Sequence, residues 1–168
     1  MPTPQDGVHA PQEIAPAPPS STVSLREITA ETVRRICALE VAESQRRFVA
    51  SNAISIAQAY FEPRAWFRAI YAGEEPVGFA MLDINLDKRA YYLWRFMIDH
   101  RQQGLGYGRR ALELVIEHVR TLPDARSLEL SYSPGPGEPA PFYRGLGFEE
   151  TGEVEDGERI MRLMLTPG

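Results

Sequence analysis

Gln103-Gly104-Leu105-Gly106-Tyr107-Gly108 lies between two stretches of opposite character. Before it, Tyr91 to Asp99 is crowded with strand formers: Tyr91, Tyr92, Trp94, Phe96 and Ile98. After it, Ala111, Leu112, Val115 and Val119 recur at helical spacing between Tyr107 and Thr121, and Pro123 stops the run. The pattern predicts strand, glycine turn, helix. The first turn of a helix leaves backbone N–H groups without partners, and the helix dipole adds partial positive charge there. Glycines clear the approach and tolerate positive φ. The junction therefore reads as a cradle for a diphosphate. Arg109 and Arg110 open the helix against its dipole, a placement that suits a bound anion. The competing reading is a plain tight turn. Two other phosphate loops fit poorly. A P-loop needs Lys-Ser or Lys-Thr where Arg109-Arg110 stand, and a dinucleotide fingerprint needs G-x-G-x-x-G near a first strand rather than G-x-G-x-G late in the chain.

Toward the N-terminus, the alternation predicts strands at Val23 to Ile28, Trp66 to Ala72 and Val77 to Ile84, with Gly73-Glu74-Glu75-Pro76 as a turn. Thr29 is the expected cap of a helix running to about Val41, and Glu43 to Phe61 reads as partly helical up to Pro63. Toward the C-terminus, Ser127 to Tyr132 reads as a strand and Ser133 to Gly137 as a loop. Ala140 to Leu146 reads as a short helix closed by Gly147, and Phe148 to Val154 and Arg159 to Leu165 as the last two strands. The expected fold is α/β: a mixed, mostly antiparallel sheet of about seven strands with about four helices on its faces. No internal repeat is present.

The 168 residues correspond to one domain, and 43% hydrophobic with 24% charged residues suits a globular core. Met1 to Thr22 is rich in Pro, Ala, Ser and Gln and reads as a disordered tail before a folded domain at 23–168. Pro16-Ala17-Pro18-Pro19 offers the alternative of a proline-rich docking ligand. The net charge of −5 argues against nucleic acid and favours a cationic small molecule. Cys37 is the sole cysteine, so no internal disulfide forms, and a reducing cytoplasm is the expected setting. His9, His100 and His118 lack metal-ligand spacing, so no metal is expected. No apolar run is long enough for a membrane span and no signal peptide is apparent.

The motif Gln103-Gly104-Leu105-Gly106-Tyr107-Gly108 resembles the Q/R-x-x-G-x-G/A signature of the GNAT superfamily of N-acetyltransferases. Phe142-Tyr143-Arg144-Gly145-Leu146-Gly147-Phe148 resembles a second signature of that family, an aromatic-Tyr pair followed by Gly-Phe, and the resemblance covers about residues 23–165. It implies acetyl-CoA as co-substrate, a splayed fourth and fifth strand pair, direct transfer to an amine, and a homodimer as the usual assembly. Trp94-Arg95-Phe96-Met97-Ile98-Asp99 and Gln102 to Arg109 are similar to the bacterial spermine/spermidine acetyltransferases, as are Ser131-Tyr132 and Glu149 to Glu153. That narrower resemblance implies a polyamine acceptor. The alternatives are another amine (an aminoglycoside, an amino acid or a protein N-terminus) or a non-catalytic acyl-CoA-binding module.

By the same resemblance, Gln103, Gly104, Leu105, Gly106, Tyr107, Gly108 and Arg109 hold the coenzyme diphosphate. Phe96, Met97 and Ile98 pair through their backbone with the pantetheine arm and supply the oxyanion donor. Tyr143 is the expected proton donor to the departing thiolate, whereas Phe142 and Phe148 are expected in the core. Glu40, Tyr60 and Trp94 are candidate acceptor-site residues, with Ser51 and Asn52 either beside them or serving as loop caps. Two positions depart from the family pattern. Trp94 stands where eukaryotic polyamine acetyltransferases carry a glutamate, which leaves the general base open among water and Glu40, Glu43, Glu62 or Asp83. Ser133-Pro134-Gly135-Pro136-Gly137 stands where many members place a coenzyme-touching asparagine.

Overall fold

The computed structural model describes residues 21–166; the expected tail, apart from Ser21 and Thr22, lies outside them. Ala65–Ala72 (β2) and Glu75–Asn85 (β3) form an antiparallel hairpin across Gly73-Glu74, so the turn is shorter than expected and Glu75 and Pro76 already belong to the strand. Val23–Arg26 (β1) adds to one edge and Ala90–Ile98 (β4) to the other. Ser127–Tyr132 (β5), Glu149–Glu155 (β6) and Glu158–Met164 (β7) complete a seven-stranded sheet among the described residues, ordered β1-β2-β3-β4-β5-β7-β6. β4 and β5 are its parallel pair. Both the strand number and this mixed, mostly antiparallel arrangement are as expected.

Each face of the sheet has its own core. On one face, Tyr107–Arg120 (α3) buries Ala111, Leu112, Val115, Ile116 and Val119, the stripe its spacing predicts. They pack with Leu82, Leu93, Leu128, Leu130 and Phe148. Ala140–Arg144 (α4) sits on the same side, led in by Pro139. On the other face, Ile36, Leu39, Phe79, Met81 and Met97 cluster beneath Val33–Cys37 (α1) and Asn52–Phe61 (α2).

The α1 region corrects the expected long helix. Helix is confined to Val33–Cys37, capped at Thr32 rather than Thr29. Beyond it the backbone leaves helical register because it is tied to the end of β4. Glu40 N–H donates to Asp99 Oδ2 at 3.0 Å, and His100 N–H donates to Glu40 O at 2.8 Å. Between α1 and α2 only a single 3-10 turn forms, at Glu43–Gln45. Ser51 caps α2 by accepting from Ile54 N–H at 3.3 Å. Asn52 is buried, where its amide donates to Ile36 O at 2.9 Å and spans the two helices.

Candidate active site

β4 and β5 touch through one register pair, Tyr92 opposite Glu129, and then part. One residue later β4 bulges. Leu93 faces Leu82 and Arg95 faces Met81, which leaves Trp94 without a partner on β3. The divergence opens a cleft of about 1150 Å³ whose floor is the Leu93 to Ile98 backbone. The start of α3, Tyr143 of α4 and the 41–50 segment all line it.

The α3 end is built for an anion. Gly106 is its N-cap at φ 84°, no side chain among the described residues caps it, and Arg110 N–H is the first donor satisfied, by Gly106 O at 3.2 Å. Gly104 has φ 77°, and at both glycines a Cβ would meet open space. Their positive φ, rather than crowding, is what calls for glycine. The arginines at the start of α3 are partly neutralised by Glu113, which lies 3.5 Å from Arg109 Nε and 3.4 Å from Arg110 Nη1. Gln103 works differently from its neighbours. Its amide donates to Ile98 O at 2.9 Å and pairs reciprocally with the Gln45 amide at 2.9 and 3.2 Å, so it ties the loop to β4 and to the opposite wall.

Asp99, at the head of this loop, is 1% exposed. Burial alone would raise its pKa. Hydrogen bonds from the Arg101 guanidinium, from Glu40 N–H and from Arg101 N–H outweigh burial and hold it at about 2. Asp99 thus joins the loop to the α1–α2 segment through an ionised carboxylate.

Tyr143 is 9% exposed and wedged between Phe142, at 5.3 Å between ring centroids, and Phe148, at 5.7 Å. Burial pushes its phenol well above the ordinary value, and negative charge on Tyr92 would push it further. It stays protonated throughout the neutral range. Phe148 is core, as expected. Phe142 is not: it is 37% exposed, stacks on Phe96 at 6.0 Å and lines the cleft.

The structure gathers Trp94, Phe96, Met97, Ile98, Gln103, Gly104, Gly106, Gly108, Arg109 and Tyr143 around this one cleft. The side chains of Leu105 and Tyr107 are not in its lining. Glu40 lies instead in an adjacent pocket of about 230 Å³ with Cys37 and Met97, and Ser51 and Asn52 sit there too. Tyr60 is 84% exposed and lies outside the cleft, because the exposed side of α2 carries it away from the sheet. The four acids weighed as bases also lie outside. Glu40 and Glu43 pair with Arg46 at 3.6 and 3.0 Å, and Glu62 and Asp83 pair with Arg64 at 3.4 and 2.8 Å. Instead, Tyr92, Ser131 and Glu158 reach the cleft as a hydrogen-bonded row from three strands. Of these, Ser131 was readable: Leu128, Leu130 and Tyr132 alternate inward, which turns Ser131 to the opposite face.

Comparison with known proteins agrees with this architecture. The family model described as Acetyltransferase (GNAT) family matches residues 33–148. A spermine/spermidine N(1)-acetyltransferase of Bacillus subtilis (strain 168) is 26% identical over 151 residues, which cover 83% of this chain and 97% of that protein. The crystal structure of spermidine N-acetyltransferase from Vibrio cholerae with CoA and spermine superposes with a TM-score of 0.67 at 16% identity, covering 84% of this chain and 95% of that one. The ribosomal-protein-S18-alanine N-acetyltransferase from Escherichia coli gives 0.64 at 18% identity, covering 86% and 95%.

Proposed function

The chain belongs to the GNAT family of acetyltransferases, and on that premise we propose that it moves an acetyl group directly from acetyl-CoA to a primary amine of a polyamine such as spermidine or spermine. One observation carries the transfer reading. An uncapped helix N-terminus, a splayed strand and a buried phenol open onto the same cleft.

The residues present suit acetyl-CoA. The free N–H groups at the start of α3, with Gly104 and Gly106 beside them, accept a diphosphate without steric hindrance. The unpaired edge of β4 at Phe96, Met97 and Ile98 offers backbone groups to an extended pantetheine arm, and an N–H there polarises the acetyl carbonyl. Acetyl-CoA supplies the activated acetyl group. Tyr143, kept neutral by burial, gives its proton to the departing sulfur. Binding both substrates in one cleft converts a bimolecular encounter into a local one.

The polyamine assignment is supported by the similarity to the Bacillus subtilis enzyme, which spans 83% of this chain. A second acceptor class is favoured by a different observation: Arg46, Arg47 and Arg95 reach the cleft beside Glu138 and Glu158. Cationic side chains suit an amine that also carries a carboxylate, such as an amino acid or a peptide N-terminus.

The deciding experiment is coenzyme A release from acetyl-CoA, read with a thiol reagent, over spermidine, spermine, amino acids, peptides and aminoglycosides. Selective turnover of spermidine and spermine is the expected result. Turnover confined to carboxylate-bearing amines moves the acceptor to the second class. Tight acetyl-CoA binding with no turnover on any amine leaves a binding module instead of an enzyme.

A further inference from the structure

Tyr92 on β4, Ser131 on β5 and Glu158 at the start of β7 meet side by side on the cleft wall. Ser131 Oγ lies 2.6 Å from Glu158 Oε2, and the Tyr92 hydroxyl is hydrogen-bonded to the same Ser131 Oγ. The chain can be read in one direction only. An ionised carboxylate accepts and never donates, so the single Ser131 proton points at Glu158. Ser131 then has only lone pairs for Tyr92, so the Tyr92 proton points at Ser131. What remains is the Tyr92 oxygen as an acceptor, backed by a carboxylate two hydrogen bonds away. Ser133 Oγ, at 3.5 Å from Glu158 Oε1, adds a donor on the far side of that carboxylate.

We infer that Tyr92, Ser131 and Glu158 form a proton relay that removes the proton from the acceptor ammonium. The inference rests on the acetyl-transfer reading above and fills the place of the base, which none of Glu40, Glu43, Glu62 or Asp83 reaches. The proton balance closes. The ammonium gives a proton to the Tyr92 oxygen as Tyr92 gives its own to Ser131 and Ser131 gives its own to Glu158. The freed nitrogen lone pair forms the C–N bond as the C–S bond breaks. The sulfur takes the Tyr143 proton, and Tyr143 recovers one from the acylated nitrogen. Glu158 is partly exposed and returns its proton to solvent.

The charged surroundings favour this direction. Arg95, on the same strand, feels charge on both Tyr92 and Glu158. Its guanidinium disfavours a second cation, the ammonium, nearby. Glu155, at the end of β6, adds negative charge toward Tyr92, and Tyr143 faces Tyr92 from α4. Burial holds Tyr92 protonated at rest, so it passes a proton without storing charge.

The test is steady-state acetylation of the amine that the wild type turns over best, from pH 6.5 to 10, by Glu158→Gln, Ser131→Ala and Tyr92→Phe. Acetyl-CoA affinity and thermal midpoint are measured alongside. Each variant is expected to keep acetyl-CoA affinity within about twofold and to lose about 100-fold in kcat near pH 7. The loss should shrink toward pH 10, where the amine arrives neutral. The Tyr92→Phe/Glu158→Gln pair should be no slower than either single variant, as members of one chain must be. A normal kcat with a raised KM in Glu158→Gln overturns the relay and makes Glu158 a binding group. A kcat loss that is constant across pH overturns it in favour of a structural role. If Glu158→Gln fails to fold, Ser131→Ala and Tyr92→Phe carry the same readout. A wild type that acetylates no amine refutes the transfer reading itself; an active wild type with unaffected variants refutes the relay alone.

Discussion

The two walls of the cleft are made of different material. On the side proposed for the coenzyme the groups on offer are backbone: N–H groups at the start of α3, the open edge of β4, and glycines with φ of 77° and 84°. On the side proposed for the acceptor they are side chains drawn from four places: the 41–50 segment, the β4 bulge, β5 and β7. A backbone wall needs a fixed local geometry and so leaves a contiguous motif. A side-chain wall needs only that distant residues meet, and it leaves no motif. Tyr143, the proposed proton donor, lines the cleft at the seam between the walls.

The largest effect should therefore come at the seam. Tyr143→Phe keeps the ring and its packing on Phe142 and Phe148 but removes the proposed proton donor. Loss of kcat by about 10²-fold or more is expected, with acetyl-CoA affinity unchanged by titration calorimetry. A matching loss of affinity would mean that Tyr143 belongs to the coenzyme wall alone.

Next comes Asp99, which fastens the walls together through Glu40 N–H and the Arg101 backbone and guanidinium. Its folded pKa of about 2 lies below the ordinary 3.8. A depressed carboxylate contributes stability that is fully present above the unfolded value and is lost as pH falls through the folded one. The window is therefore about pH 4 down to 2, with a contribution of about 2 kcal/mol at neutral pH. Urea unfolding should show Asp99→Asn weaker than wild type by about this amount at pH 7, with the gap closing toward pH 2. An equal gap at both ends would assign the cost to packing instead of charge.

A smaller effect is expected at Gly106. A Cβ there meets open space, so the penalty of Gly106→Ala is conformational, about 1 kcal/mol of stability for a left-handed residue. Part of the same strain should appear as weaker acetyl-CoA binding, with the amine KM unchanged. A shift in amine KM would break the division between the walls.

That division also explains what could be read from the sequence. The glycine loop and the α3 stripe were legible because each is a local pattern with one geometry, whereas the expected core place of Phe142 was not, since it is 37% exposed and lines the cleft. The succession of strands and helices along the chain followed from the alternation of patterns. The α1 helix was misjudged because Asp99, 59 residues away, draws Glu40 out of helical register. Tyr60 and Glu40 were misplaced because helix spacing does not say which side of α2, or which of two pockets, faces the cleft. Glu158 carried no signal of its own, since nothing local marks a carboxylate that meets Ser131 across 27 positions.

Arg95 gives the smallest expected effect and sharpens the comparison most, because it is a cation on the wall that should receive an ammonium. It is half-buried, donates to Trp94 O and Gln58 Oε1 at 3.0 Å each, and leaves its Nε without a partner among the described residues. Burial lowers its pKa, though the guanidinium remains charged. Two effects follow from one charge. It repels a polycation in the ground state, and it favours the neutral amine that attacks. Arg95→Gln should therefore lower the polyamine KM and also lower kcat near pH 7, each about threefold, as expected for a partly solvated charge. The kcat loss should fade as pH rises toward the pKa of the amine. For a carboxylate-bearing amine the KM should rise instead. Opposite KM shifts for the two acceptor classes, measured on one variant, would place acceptor choice in the charge of this wall; parallel shifts would place it in the shape.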